Sequence, residues 1–348
     1  MMKITQKQQR IIQIVLQKGV LQSSAVHAAL SDGTSLVTVK RALSSLTHAG
    51  ILTSSGSGRS TSYQIAVLGR IFADIDTHTY ITTEPDRRYG LNRYNFDLLP
   101  QLPGEMFAKE ELEMLNTATE EYRNRINDLS PTVQKKELER LIIELSWKSS
   151  KIEGNTYTLL DTEKLILEHQ EAVGHDKNEA RMILNHKEAF TFVHNHAREF
   201  RTLTRKNLEE LHKILVLNMS VAFGLRSKAV GVTGSKYRPL DNQYQIGEAI
   251  EALSTAMDRM TTPYGKALLA LLGIGYIQPF EDGNKRTSRL MANALLMAHD
   301  CAPLSYRSVD ENEYREAMLV FYEINSIMSF KKIFINQYDF AAKNYSVK

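Results

Sequence analysis

The sequence contains 348 residues, of which 43% are hydrophobic and 24% are charged, and this balance is typical of a soluble globular protein with two or three domains. One cysteine, Cys301, excludes an internal disulfide framework, and no apolar run approaches the ~20 residues of a membrane-spanning helix. We therefore expect a cytoplasmic protein. The net charge of +3 is unevenly distributed, because residues 1–65 contain seven lysines and arginines and a single acidic residue.

The N-terminal pattern predicts three helices followed by a hairpin. Residues 6–17 form an amphipathic pattern that Gly19 ends, a short second helix follows, and a third extends from about Ser35 to His48. The stretch ILTSSGSGRSTSYQI then predicts two strands around a Ser/Gly-rich tip. This order is that of a winged helix-turn-helix domain, which we assign to residues 1–68.

The charge of this module favours double-stranded DNA as its partner, because neutralised phosphates supply much of the affinity in such proteins. The third helix can enter the major groove while the basic tip of the hairpin reaches a neighbouring phosphate. The alternative is that the module docks a protein and that the charges only solvate its surface. The residues expected to contact DNA are Thr38, Lys40, Arg41, Ser44 and Arg59.

The rest of the chain is predicted to be mainly α. Residues 69–105 show no sustained period, which predicts an ordered connector, and residues 106–348 read as one helical domain. One interruption, AVGVTGSKYRPLDN at 229–242, contains Val230, Val232 and a Gly/Ser turn, and predicts a small β-hairpin among the helices. The unpaired edge of such a hairpin could accept an extended peptide.

The stretch GYIQPFEDGNKRTSR, residues 275–289, has the pattern of a phosphate-binding loop that opens a helix. After a turn at Gly283, the next amides fall in the first helical turn, where unpaired N–H groups and the helix dipole favour phosphate. Asp282 is placed to hold Mg²⁺ against phosphate oxygens. A polar helix cap without a ligand is the alternative. The expected nucleotide-binding residues are Gly283, Asn284, Lys285, Arg286 and Arg289.

The loop resembles the signature of the Fic family, His-Pro-Phe-x-[Asp/Glu]-Gly-Asn-Gly-Arg-x-x-Arg, at seven positions between Pro279 and Arg289. It departs from that signature at two positions, with Gln278 in place of the histidine and Lys285 in place of the second glycine. The stretch SSKIEGN at 149–155 resembles the inhibitory motif of the family, and LRSKAVGVTGSKYRPL resembles its flap, the hairpin that holds the target protein.

The resemblance implies a helical Fic core with a β-hairpin flap, and transfer of AMP from ATP to a hydroxyl of a target protein, with Mg²⁺ as the metal. It also implies that Glu153 pairs with Arg289 and so restrains nucleotide binding. Self-association as a homodimer is compatible with the sequence. The inhibitory residues are Ser149, Glu153 and Gly154, and the flap residues are Val230, Val232 and Gly234.

Gln278 weakens the expectation of catalysis. The family uses the histidine as its general base, and a glutamine amide cannot take up a proton near neutral pH. The loss of a positioned base typically costs ~10²–10⁴-fold in rate. Glu281 could accept a proton, although it occupies a variable position of the signature. Nothing in the sequence directs a substitute histidine at Gln278 from the predicted helices, which carry His186, His194, His196 and His299.

Three hypotheses therefore stay open. The first is an AMP transferase restrained by Glu153 and slowed by Gln278. The second is a degenerate Fic domain that senses ATP and passes its state to a DNA-binding module. The third is a phosphotransferase, because the Doc proteins of this family also carry Asn-Lys-Arg where this chain has Asn284 to Arg286.

Overall fold

The computed structural model describes residues 4–347 and is mainly helical. Its α-helices are, in chain order, α1 (Gln6–Lys18), α2 (Ser23–Leu30), α3 (Leu36–His48), α4 (Val67–Ile71), α5 (Thr77–Thr82), α6 (Lys109–Asn127), α7 (Pro131–Ile152), α8 (Leu159–Glu168), α9 (Lys177–Asn195), α10 (Arg205–Leu215), α11 (Gln243–Asp258), α12 (Pro263–Ile277), α13 (Asn284–Met297), α14 (Glu311–Ile324) and α15 (Met328–Asn344). Its β-strands are β1 (Leu21–Gln22), β2 (Leu52–Ser55) and β3 (Ser62–Ile65). No helix among residues 4–347 combines the length and apolarity needed to cross a membrane.

The chain divides into two compact units. The first unit adds to the N-terminal module the stretch predicted as a connector, part of the predicted flap and the end of α14. The second unit contains the predicted phosphate-binding loop and the inhibitory motif. The first comprises Met1–Leu102, Gly231–Arg238 and Glu316–Lys331, and the second comprises Pro103–Val230, Pro239–Arg315 and Lys332–Lys348.

The N-terminal module contains the three helices and the two strands that the sequence predicts. Thr5 forms a capping box at the start of α1, and Gly19 ends that helix with a φ of 79° that an L side chain rarely adopts. The strands form an antiparallel sheet of order β1-β3-β2. The two-residue strand β1 was not predicted, because it is too short to show a period of two. A shared hydrophobic core includes Ile11, Val15, Val39, Leu43 and Leu46.

A fully buried carboxylate organises the remainder of the first unit. Glu323, on α14, accepts hydrogen bonds from Tyr80 Oη (2.8 Å), Arg88 Nη1 (3.2 Å) and Ser235 Oγ (2.6 Å). Arg88 also donates to the carbonyl oxygen of Gly234 at 2.9 Å. A buried charge of this kind is stable only when hydrogen bonds and an opposite charge surround it, so these contacts fix residues 231–238 within the unit.

The β-hairpin predicted at Val230 and Val232 is wrong. Residues 221–242 contain no paired strand, and their one ladder contact is an isolated parallel bridge between Arg238 and Arg93. The reason is that the segment obtains its partners elsewhere, from Arg88 at Gly234 and from the Glu323 carboxylate at Ser235. The Gly234 carbonyl oxygen and the Lys236 N–H, which donates to Glu323 Oε1 at 3.3 Å, are backbone groups that a hairpin would need for pairing across two strands.

The core of the second unit places the predicted loop between two buried helices. Thr262 caps α12 by accepting from the backbone N–H of Gly265 at 3.2 Å, and Pro263 occupies the first helical position. Gly273 lets α11 approach closely, since a Cβ there would lie 2.4 Å from Leu253 Cδ1. Both α12 and α13 are almost wholly buried, so the loop that joins them has a rigid base at each end.

Candidate functional site

The backbone of the predicted loop turns at two residues with positive φ. Helix α12 ends at Gln278, whose φ is 51°, and α13 begins after Gly283, whose φ is 80°. The first hydrogen bond of α13 in the α-helical pattern runs from the Thr287 N–H to the Gly283 carbonyl oxygen at 2.8 Å. The amide groups of the first helical turn, from Asn284 to Arg286, therefore have no helical carbonyl to donate to. These are the groups that the sequence analysis assigned to phosphate.

Asn284 holds the loop closed through its side chain. Its Oδ1 accepts from the backbone N–H of Phe280 at 2.8 Å, and its Nδ2 donates to the Phe280 carbonyl oxygen at 2.9 Å. The same Nδ2 also donates to Oε1 of Gln278 at 2.9 Å. Asn284 is therefore a structural part of the loop as well as the first residue of α13.

The Gln278 side chain is engaged at both ends and is 8% exposed. Its Nε2 donates to the Gly275 carbonyl oxygen at 2.6 Å, while its Oε1 accepts from Asn284. A neutral amide in this arrangement supplies no proton acceptor. The position that the resemblance assigns to the base thus carries a group that braces the loop.

The four histidines considered from the sequence have other surroundings. His196 and His299 lie just after the ends of α9 and α13, and each places Nδ1 at 2.8 Å from the carbonyl oxygen of the residue four positions earlier. His194 stacks on Phe190 with ring centroids 6.4 Å apart. His186 is buried, and its ring nitrogens have no hydrogen-bond partner among residues 4–347. Burial and the nearby arginines hold the pKa of His186 well below its usual value, so its imidazole is neutral.

His212 contacts the loop and was not predicted from the sequence. Its ring stacks on Phe280 with centroids 3.7 Å apart and planes 7° from parallel, and its Nε2 donates to the Asp282 carbonyl oxygen at 3.0 Å. Burial lowers the pKa of His212 to about 4, so the ring is neutral near pH 7. A signal was present in the sequence, because His212 continues the buried face of α10 formed by Leu208, Leu211 and Leu215.

Arg226 is a second residue that the sequence analysis did not single out. Its side chain is buried, with Nε donating to the Gln278 carbonyl oxygen at 2.6 Å and Nη1 to the Lys228 carbonyl oxygen at 2.7 Å. Its backbone N–H donates to the Pro279 carbonyl oxygen at 3.0 Å. Arg226 thus holds the backbone of the loop at Gln278 and Pro279 from outside the loop, whereas Asn284 holds it from within.

Asp282 and Arg286 form a partly exposed ion pair at the helix start. Arg286 Nη2 lies 3.1 Å from Asp282 Oδ2, and the side chain of Asp282 is 62% exposed whereas that of Arg286 is 2% exposed. Burial lowers the pKa of Arg286, although its guanidinium remains charged. One exposed carboxylate beside unpaired amides fits Mg²⁺, which takes few protein ligands and completes its shell with water and phosphate oxygens. Residues 4–347 contain no cluster of three or more metal-ligating side chains.

Arg289 is bound to the predicted inhibitory motif. It is fully buried, its Nη2 donates to Glu153 Oε1 at 2.8 Å, and its Nε donates to Ser149 Oγ at 2.9 Å. Glu153 directly follows the last residue of α7, and Gly154 continues with a φ of 98° that turns the chain away. Lys285 adds a second cation, since its Nζ lies 3.5 Å from Glu153 Oε2.

The charges around Glu153 favour its ionised form. Burial tends to raise the pKa of this carboxyl, but the cations of Arg289 and Lys285 outweigh burial and hold the pKa below its usual range. Burial also tends to lower the pKa of Arg289, but the negative charge of Glu153 outweighs burial, and the pKa of Arg289 is raised above its usual value. The pair is therefore an ion pair across the neutral pH range.

The structure brings together the residues predicted for the base position, the nucleotide, the metal and the inhibitory motif, all within the second unit. Two of the predicted flap residues, Val232 and Gly234, belong to the first unit, and Val230 belongs to the second. The predicted DNA-contacting side chains lie in the first unit on α3 and at the tip of the hairpin. All five are exposed: Thr38, Lys40, Arg41, Ser44 and Arg59.

Comparison with known proteins gives one family. Residues 202–296 match the model of the Fic/DOC family. The chain is 28% identical over 174 residues to a protein adenylyltransferase Fic from Nematostella vectensis, which covers 49% of this chain and 41% of that protein. It is 29% identical over 166 residues to a protein adenylyltransferase Fic from Drosophila yakuba, covering 47% of this chain and 34% of that protein. The chain thus spans about two fifths or less of these relatives.

Solved structures share the fold at low identity. Fic-1 (residues 134–508) from C. elegans has a TM-score of 0.58 at 19% identity and covers 68% of this chain and 72% of its own. A Fic domain containing signaling protein from Bacteroides thetaiotaomicron has a TM-score of 0.55 at 20% identity and covers 66% and 94%. Residues 202–296, which contain the loop from Gln278 to Arg289, thus match the model of the Fic/DOC family, and the chain shares the fold of these solved Fic proteins.

Proposed function

We propose that this protein binds ATP at the loop between α12 and α13 and transfers AMP to a hydroxyl of a target protein, and that Glu153 restrains this activity. The observation that carries the proposal is the ion pair between Glu153 and Arg289 at 2.8 Å. A fully buried arginine one turn after a set of unpaired helix amides is suited to a terminal phosphate. While Glu153 is paired with Arg289, this arginine is not available to bind the terminal phosphate of ATP.

The binding part of the proposal depends on three groups of this chain. The unpaired amides from Asn284 to Arg286 would accept phosphate oxygens, and Arg286 adds a buried guanidinium beside them. Asp282 would hold Mg²⁺ after its carboxylate leaves Arg286, and the metal would neutralise phosphate charge when bound. None of these groups is the side chain of Gln278 or Lys285, so the two departures from the family signature leave the binding chemistry in place.

The transfer part of the proposal is limited by the base position. Gln278 has its amide nitrogen on Gly275 and its amide oxygen on Asn284, so it neither removes a proton nor points into solvent. His212 stacks on Phe280 and is neutral, but its Nε2 is engaged by the Asp282 carbonyl oxygen. Transfer would then proceed without a positioned base and ~10²–10⁴-fold more slowly than with one.

A second candidate function is favoured by the same Gln278 contacts. If the loop binds ATP without transferring AMP, the domain is a nucleotide sensor, and the exposed basic residues of α3 and the hairpin would make the first unit its DNA-binding output. This alternative therefore requires that residues 1–68 form a winged helix-turn-helix module that binds double-stranded DNA. The Doc-like phosphotransferase is less well supported, because Lys285 contacts Glu153 rather than standing free at the phosphate site.

The test incubates the full-length protein with α-labelled ATP, Mg²⁺ and a lysate that supplies candidate targets. The variants are Glu153→Gly, Gln278→His and the double variant, with Glu163→Gly as a matched control that removes an exposed glutamate from α8. Label on protein with Glu153→Gly alone supports the transferase. Label only when Gln278→His is also present supports the sensor.

Nucleotide affinity gives the independent measurement. Calorimetric titration with Mg²⁺ and a non-hydrolysable ATP analogue is expected to show tighter binding by Glu153→Gly than by the unsubstituted protein, with the Glu163→Gly control unchanged. Equal, negligible binding by all variants would reject both candidate functions. A parallel incubation with γ-labelled ATP separates the two reactions, because label on protein from the γ position reports phosphate transfer and label from the α position reports AMP transfer.

A further inference from the structure

A cavity of about 480 Å³ lies in the second unit next to the inhibitory helix α7 and apart from the residues assigned to the nucleotide. Its walls come from three places: the last turns of α7, the segment that follows Gly154, and the beginning of α14. Cavities of this size hold small-molecule ligands. The residues that give it chemical character are Trp147, Lys151, Tyr157, Glu311 and Arg315.

The cavity combines one flat aromatic surface with two cations. Trp147 is held in place because its Nε1 donates to the Tyr157 carbonyl oxygen at 3.1 Å. The Lys151 ammonium lies 5.1 Å from the centre of the Trp147 ring. Arg315 contributes the second cation, and its side chain is exposed to solvent. A ligand with a planar ring and an anionic group could stack on the Trp147 ring and contact both cations at the same time.

The charges already present in the cavity leave Lys151 available. Glu311 is the acidic residue of the wall, and its Oε1 is taken at 2.5 Å by Lys148, whose side chain is 7% exposed. The same oxygen lies 3.8 Å from Lys151, whose side chain is 45% exposed. The shorter contact belongs to Lys148, so Lys151 holds, besides its contact with the Trp147 ring, a long, exposed ion pair of small energetic worth. An incoming anion can therefore replace the Glu311 carboxylate as the partner of Lys151.

Arg315 connects the cavity to the inhibitory motif. Its Nε and Nη2 both donate to the Ile152 carbonyl oxygen, at 3.0 Å and 2.6 Å. Ile152 is the last residue of α7 and immediately precedes Glu153. The carbonyl groups at a helix C-terminus have no partner within the helix, so Arg315 satisfies one of them and stabilises the final turn. A ligand that takes the guanidinium releases this carbonyl.

We propose that the cavity binds a small organic phosphate with a planar ring, and that the bound phosphate draws Arg315 from Ile152 and so frees Glu153 from Arg289. The ring stacks on Trp147, and the phosphate contacts Lys151 and Arg315 as charge-assisted hydrogen-bond donors. The regulatory half of the inference rests on the proposed inhibitory role of Glu153. The binding half does not depend on it.

Trp147 is the sole tryptophan of the chain, so its fluorescence reports occupancy directly. Full-length protein is titrated with phenyl phosphate, and with phenol and inorganic phosphate to separate the ring from the anion. We expect a saturable change with phenyl phosphate at concentrations at least about tenfold lower than with either fragment, because ring and anion bind together. No saturable change, or equal binding of inorganic phosphate alone, would overturn the site.

Two substitutions separate binding from regulation. Lys151→Met is expected to weaken phenyl phosphate about tenfold while leaving the basal affinity for nucleotide unchanged, because Arg315 still holds Ile152. Arg315→Met is expected to weaken phenyl phosphate similarly and to raise the basal affinity for nucleotide, because Ile152 loses its donor. Lys164→Met, an exposed lysine on α8 outside the cavity, serves as the matched control. Far-ultraviolet circular dichroism checks that each variant folds.

The regulatory step is measured as nucleotide affinity with and without saturating phenyl phosphate. An increase in the unsubstituted protein that is absent in Glu153→Gly and in Arg315→Met supports the proposal. If Glu153→Gly binds nucleotide tightly but phenyl phosphate leaves the unsubstituted protein unchanged, the coupling is wrong while the proposed function stands. If Glu153→Gly itself fails to bind nucleotide, the proposed function is wrong, and the Trp147 titration still decides the site.

Discussion

Glu153 joins two cations of one helix, because its Oε1 accepts from Arg289 at 2.8 Å while its Oε2 lies 3.5 Å from the Lys285 ammonium. Arg289 and Lys285 are one turn apart on α13, so they present their charges on the same face. Lys285 would therefore strengthen the restraint proposed for Glu153. The contact with Glu153 differs from the direct phosphate contact that the sequence alone suggests.

We predict that Lys285→Ala raises the affinity for nucleotide by about 1.4- to fivefold, since a partly exposed ion pair contributes ~0.2–1 kcal/mol. Glu153→Gly should raise it further, because it also frees Arg289. Calorimetric titration with Mg²⁺ and an ATP analogue measures both. The matched control is Lys228→Ala, which removes an exposed lysine that lies 3.7 Å from Glu281 instead. Weaker binding by Lys285→Ala would show that Lys285 contacts phosphate more strongly than it restrains Glu153.

Gln278 gives a prediction about stability. Its side chain makes two hydrogen bonds in a site that is 8% exposed, and its removal leaves the Gly275 carbonyl oxygen without that donor. We expect Gln278→Ala to lower the free energy of unfolding by roughly 1–3 kcal/mol, measured by urea denaturation. Gln245→Ala, at an exposed position on α11, should change it by less than about 0.5 kcal/mol. An unchanged midpoint for Gln278→Ala would refute the bracing role.

Much of this site could be predicted because its chemistry lies in one short stretch. Residues 275–289 display a glycine turn, a helix start and two arginines in order, and α13 begins at Asn284 as the turn requires. The partnership of Glu153 with Arg289 came from a resemblance between two separate motifs, and the structure brings them to 2.8 Å. Local patterns of this kind need no knowledge of tertiary packing.

The features that were missed depend on long-range contacts. The predicted hairpin at Val230 and Val232 is absent because Arg88 and Glu323 provide partners from distant parts of the chain. His212 was overlooked because its significance lies in stacking on Phe280, which is 68 positions away. No period within a single segment encodes such contacts.

His212 predicts a pH dependence of stability. Its pKa falls from an ordinary 6.5 to about 4 on folding, so between these values the unfolded chain binds a proton that the folded protein does not. Stability therefore falls as the pH decreases through this window, by roughly 3 kcal/mol for one such group. Urea denaturation of the unsubstituted protein and of His212→Phe at pH 7 and pH 5 measures the difference.

We expect His212→Phe to lose less stability on acidification than the unsubstituted protein, because phenylalanine keeps the stacking surface and takes up no proton. Its stability at pH 7 should itself be lower, since the Asp282 carbonyl oxygen loses a buried donor. His48→Gln, at an exposed position of α3, is the control for the loss of a histidine. Parallel pH profiles for all three proteins would contradict the assignment of a buried neutral His212.

The exposed basic residues of the first unit give a prediction about nucleic acid. Arg41 lies on α3 and Arg59 lies at the hairpin tip, and both side chains are exposed. If these residues contact DNA phosphates, Arg41→Ala should weaken binding to duplexes of any sequence by a similar factor. It should also reduce the slope of log affinity against log salt by about one, because one fewer counterion is released.

Fluorescence anisotropy with a labelled duplex at several salt concentrations measures this slope. Lys18→Ala is the matched control, because Lys18 is an exposed cation in the last turn of α1, outside both proposed contact elements. An equal loss of affinity in both variants would indicate attraction by net charge alone. Absence of binding by the unsubstituted protein at low salt would leave protein docking as the role of the module, since a surface that cannot attract a polyanion when screening is weakest has no electrostatic route to DNA.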